Sequence, residues 1–139
     1  MTRVGFYVVQ DASPAQRLHV AVRLADKAFQ RGHRIFINAA DEEQARTLDE
    51  MLWTYRPSSF LPHGLHGEEQ SETIAIGWGQ EPQGHNDLLI NLHLAVPDFF
   101  SRFARVAEVV TQDATSLEAQ RRSWRFYKER GYQLEKHDV

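Results

Sequence analysis

With 139 residues, 42% of them hydrophobic and 25% charged, the chain is sized for one soluble domain that folds without disulfides or a metal. Its 16 Lys and Arg face 19 Asp and Glu, a formal net charge of −3 that argues against a surface built wholly for nucleic acid. Cysteine is absent, which excludes disulfides, thiolate catalysis and Cys-based zinc sites. No stretch nears the ~20 apolar residues of a membrane span and the N-terminus lacks the apolar core of a signal peptide, so a cytoplasmic protein is expected.

Val4-Gly5-Phe6-Tyr7-Val8-Val9 reads as a strand buried on both faces. Ser13-Pro14-Ala15-Gln16 then opens a helix: Ser caps a backbone N–H, Pro gives up a donor that had no partner, and Gln can reach back. Leu18, Ala21, Val22, Ala25 and Phe29 form its apolar stripe to about Arg31, and Gly32 is placed to end it. His33 to Asn38 supplies a second strand, completing a βαβ unit with a right-handed crossover. Asp41 with Gln44 caps a second helix with Ala45, Leu48 and Leu52 inward, stopped at Pro57.

Residues 56–71 read as a long loop around the apolar island Phe60-Leu61-Pro62. Strands are expected at Thr73-Ile74-Ala75-Ile76 and Asp87 to Leu92, a short helical segment at Phe99, Phe100 and Phe103, and a fifth strand from Arg105 to Val110. Thr115 with Glu118 predicts a capping box for a last helix that runs to about Arg130 and closes at Gly131. Residues 1–139 thus form one α/β domain, a Rossmann-like, mainly parallel sheet flanked by helices.

Parallel sheets of this kind often hold nucleotides at the carboxyl ends of their strands. Here Gln10-Asp11-Ala12-Ser13-Pro14 follows the first strand without a glycine for a pyrophosphate, and no Walker loop exists. His63 and His66 could face one another across a turn, yet no Cys or tight carboxylate cluster completes a zinc site. A Gly-x-Ser-x-Gly elbow is missing as well, and Asp41, Glu42 and Glu43 suit the positive end of a helix. No catalytic constellation, metal or cofactor is therefore expected.

Two segments stand out. Arg121, Arg122, Arg125, Lys128 and Arg130 place five positive charges within ten residues, and at ~100° per residue Arg121, Arg125 and Lys128 form one stripe with Leu117 and Trp124 along its edge. A solvated amphipathic helix explains such a stripe; so does a site for an acidic peptide with an apolar anchor, or for nucleic acid. Residues 115–131 carry five positive and two negative charges, so the remainder holds 11 against 17. Trp53, Tyr55, Phe60, Pro62 and His63 cluster at a helix end and loop, which suits either a satellite core or an interface.

These segments, in this order, resemble the chi-subunit family of bacterial DNA polymerase III. The resemblance is carried by Phe6-Tyr7, Asp41-Glu42-Glu43-Gln44-Ala45, Leu48-Asp49-Glu50-Met51-Leu52-Trp53, Ser59-Phe60-Leu61-Pro62-His63, Asp87 to Leu92, and Arg121 through Tyr132. It implies a Rossmann-like fold without nucleotide or catalysis, acting as an accessory subunit of the clamp-loader assembly. One face would bind the acidic C-terminal tail of single-stranded-DNA-binding protein through Arg121, Trp124, Arg125 and Lys128, with Leu117 bordering an apolar recess. Another, with Trp53, Phe60, Pro62 and His63, would bind the psi subunit or a helicase-like repair protein that takes its place. DNA would be contacted mainly indirectly, and no membrane is involved. Ser123 and Trp124 depart from the family's usual basic residue and Tyr. The alternative function is a small nucleotide- or sugar-phosphate-binding enzyme on the same scaffold.

Overall fold

Seven parallel strands form the sheet of the computed structural model, in the order β3-β4-β2-β5-β6-β1-β7. Residues 1–55, 61–65 and 73–139 are described. Along the chain run β1 (Arg3–Val8), α1 (Pro14–Gln30), β2 (Ile35–Asn38), α2 (Glu42–Thr54), β3 (His63–Leu65), β4 (Ile74–Gly77) and β5 (Leu88–Asn91). A 3-10 turn (Asp98–Arg102), β6 (Arg105–Val110), α3 (Ala114–Glu129) and β7 (Gln133–Asp138) follow. The expected mainly parallel α/β sheet is present, parallel at every pairing among the described residues.

Alternation along the strands divides the core in two. In β2, Ile35 and Ile37 join the layer under α1 and α2, while Phe36 faces the opposite layer with Phe6, Phe103 and Tyr127. α1 and α2 therefore pack on one side of the sheet and α3 on the other. This separation puts α3, with the cationic stripe, and Trp53 of α2 on opposite faces of the sheet.

Local capping follows the sequence at two helices. Ser13 and Asp41 accept from the backbone N–H groups of Gln16 and Gln44, and Pro14 opens α1. Gly32 and Gly131 end α1 and α3 with φ of 84° and 81°, a region that favours glycine. The predicted Thr115 cap is corrected to Asp113, whose carboxylate accepts from Ser116 N–H at 3.1 Å. Thr111 Oγ1 donates to the same carboxylate at 2.6 Å and holds its pKa below the usual range. An ionised Asp at the positive end of a helix outcompetes a Thr two residues on.

Two strands were not expected from the sequence. β3 lies in what reads as loop, and β7 has the polar sequence Gln133-Leu134-Glu135-Lys136-His137-Asp138. β7 is an edge strand, half-covered at most, so hydrophobic periodicity had little to register there.

Candidate functional site

α3 is fixed by a buried polar line across the carboxyl ends of the strands. Tyr127 Oη donates to Glu108 at 2.7 Å, Asn91 Nδ2 donates to both Glu108 oxygens at 3.0 and 3.2 Å, and Asn38 Nδ2 donates to Asn91 at 3.0 Å. Burial pushes the Glu108 carboxyl up to about 7, against the opposing pull of Tyr127, Asn91 and Arg17. Arg17 donates to the carbonyls of Val109 and Leu92 at 2.9 and 2.7 Å. Asn38, Asn91, Glu108 and Tyr127 thus bridge the strand ends where a Rossmann fold would receive its ligand. Glu108 was missed in the sequence, although a lone carboxylate inside Val106-Ala107-Glu108-Val109-Val110 was the available signal.

With Ser116, Ala119, Ser123 and Tyr127 buried against the sheet, the opposite side of α3 faces outward. Its five cations then sort by partner. Arg122 pairs with Glu118 at 3.3 Å, and Arg130 lies over the Phe126 ring at 3.7 Å and donates to the Phe126 carbonyl. Arg121, Arg125 and Lys128 are exposed and form no ion pair among the described residues. Among the described residues, the stripe predicted from helical spacing is thus the set of these five cations engaged by neither a carboxylate nor an aromatic ring.

Trp124 is half-buried beside the stripe, its ring 5.1 Å from Phe6, and Leu117 is half-buried one side-chain row away. On the other flank of α3 a groove of about 340 Å³ is lined by Leu94, Val96, Arg122 and Phe126, with Leu94 40% exposed. That apolar recess was not foreseen.

The second group sits at the C-terminal end of α2 and on edge strand β3. Trp53 is 55% exposed, and its ring centroid lies 4.7 Å from that of buried His63. His63 is clamped, with Nδ1 2.6 Å from the Leu61 carbonyl and Nε2 3.2 Å from the Asp49 carboxylate. Pro62 is half-buried beside it. The structure therefore brings Trp53, Pro62 and His63 together; Phe60 and His66 lie outside the described residues. Among the described residues no group of three His, Asp or Glu is arranged to hold a metal, and no helix is long and apolar enough to cross a membrane.

Residues 1–135 match the sequence family described as DNA polymerase III chi subunit, HolC. The chain is 46% identical over 137 residues to DNA polymerase III subunit chi of Pseudomonas aeruginosa, covering 99% of this chain and 96% of that protein. Identity is 30% over 137 residues to the Haemophilus influenzae subunit chi and 29% over 141 residues to that of Escherichia coli, each covering at least 95% of both chains. The crystal structure of T4 UvsW overlays with a TM-score of 0.68 at 9% identity, over 99% of this chain and 41% of that one, a likeness of fold alone. On these sequence matches, this chain belongs to the DNA polymerase III chi subunit family.

Proposed function

We propose that the chain acts as a non-catalytic adaptor in the clamp-loader assembly. It ties that assembly, through psi, to single-stranded-DNA-binding protein by holding the acidic C-terminal tail of the latter. The observation that carries this reading is the row of cations Arg121, Arg125 and Lys128, without an ion pair among the described residues, beside the half-buried Trp124.

The tail's carboxylates pair with the stripe, Arg giving bidentate geometry, and its terminal aromatic packs against Trp124 and Leu117. An exposed stripe of three cations gives a small contact, so affinity is micromolar, about −8 kcal/mol, and falls with salt. Weak binding lets the tether exchange as the replicase advances. Trp53, Pro62, His63 and Phe60 meet psi, or the helicase-like repair protein in its place, on the other face. DNA is reached mainly through these partners, in the cytoplasm.

Titration of a labelled acidic tail peptide at two salt concentrations tests the reading. Expected are weaker binding at high salt and a loss of roughly tenfold in Arg121→Ala, the effect of removing one charge-assisted contact. Binding that ignores salt, or survives the substitution unchanged, removes the site.

A further inference from the structure

A cavity of about 300 Å³ opens on the α1 side of the sheet, running from the amino ends of β5 and β6 to Tyr7 and His137 near the carboxyl ends of β1 and β7. It lies away from α3, Trp53 and the carboxyl-end polar line, because α1 packs mainly over β2, β5 and β6 and leaves the β1–β7 part of this face open. We propose that this cavity binds the phosphate and base of a nucleotide, either free or at the end of a single strand.

Charge is the first argument. Lys27 and Arg31 enter from the end of α1, His33 from the following loop, Arg105 from the start of β6 and His137 from β7. No carboxylate lines the cavity. Lys27, Arg31 and Arg105 form no ion pair among the described residues, in a chain whose net charge is −3. Glu135, beside His137 on β7, lies 3.1 Å from Arg3 and 3.2 Å from His137. Complementing the α1 dipole would account for Lys27 and Arg31 alone. It does not account for Arg105 and His137, which converge from two strands on the same space.

Shape is the second. Tyr7 and His137 stack with ring centroids 4.7 Å apart and planes 20° apart, and this aromatic pair forms one wall of the cavity. Gly5 makes room for it: a Cβ there would stand 3.1 Å from Tyr7 Cε1 and 3.6 Å from His137 Cδ2. Cations beside a stacked aromatic pair are the elements that hold a phosphate and a base together, and the volume suits one nucleotide. A simple anion would use the cations and leave the aromatic wall idle.

Amide NMR spectra of the full chain, titrated separately with AMP, adenosine, inorganic phosphate and a terminally phosphorylated oligothymidylate, test the assignment. AMP at low-millimolar concentration is expected to shift the amides of Gly5, Tyr7, Ala107 and His137, with adenosine and phosphate each several-fold weaker. Arg105→Gln and Lys27→Gln, both exposed, are expected to weaken AMP roughly tenfold at unchanged melting temperature. Arg121→Ala leaves the shifts intact, which separates this site from the tail-binding helix. Tighter binding of the oligonucleotide than of AMP identifies a strand end as the source; equal or weaker binding identifies a free nucleotide. Absence of shifts with both nucleotide probes, shifts that persist in Arg105→Gln, or phosphate alone matching AMP overturns the proposal.

Discussion

Tyr127 donates a 2.7 Å hydrogen bond to Glu108, and that bond ties the helix bearing the cationic stripe to the interior of the sheet. Both residues are buried, so neither can turn to water if the other is removed. Tyr127→Phe keeps the ring among Phe6, Phe100 and Tyr132 but takes one donor from the carboxylate. The expected loss is ~1–3 kcal/mol in chemical denaturation, with tail-peptide affinity reduced only as far as α3 shifts. No loss of stability would mean that the bond is not a restraint on the helix.

The same carboxyl makes stability depend on pH. Burial raises Glu108 from 4.5 to about 7, so the folded chain holds this proton more tightly than the unfolded one. Its contribution is complete below about 4.5 and is lost as pH rises through about 7, an effect of ~3 kcal/mol. Glu108→Gln removes the titration while keeping an oxygen for Tyr127. Melting temperatures of both chains from pH about 5 to about 8 should therefore diverge, the wild type falling relative to the variant. A constant difference across that range would refute the assignment.

Which cations on α3 are available is as testable as their number. Arg122 is engaged with Glu118, whereas Arg125 forms no ion pair among the described residues. Arg125→Ala should weaken tail binding roughly tenfold, and Arg122→Ala by less than threefold, since an exposed pair contributes little. Trp124→Ala against Phe126→Ala then locates the apolar anchor, because the two rings border opposite flanks of the helix. Loss in Phe126→Ala alone would move the tail's terminal ring to the groove beside Leu94.

Helices and buried strands were legible because their residues obey one period and carry ordinary caps, as Leu18 to Phe29 and Ile35 to Asn38 show. The stripe was legible for the same reason, since spacing alone sets which cations align. Their partners were not: spacing sets Arg122 and Arg130 off the stripe, but it does not say that Glu118 pairs with the first or that the Phe126 ring and carbonyl engage the second. β7 escaped because an edge strand needs no apolar face, and Glu108 because a lone carboxylate in a strand does not announce its partners, which lie on α3 and β5. The basic cavity draws on α1, β6 and β7, residues that only the fold assembles.

Trp53 offers the cleanest separation of the two proposed protein-binding faces. It belongs to α2, on the α1 side of the sheet, while Arg121 belongs to α3 on the other side. With Trp53 55% exposed, Trp53→Ala forfeits little core packing, and Ala suits a helix end; stability should change by about 1 kcal/mol or less. An aromatic anchor at the centre of an interface contributes ~2 kcal/mol or more, so capture of psi should fall about thirtyfold. Tail-peptide binding should be unchanged, and the converse holds for Arg121→Ala. If the Trp53 variant retains psi while the Arg121 variant loses both partners, the two partners share α3, and the assignment of psi to the α2 and β3 face is wrong.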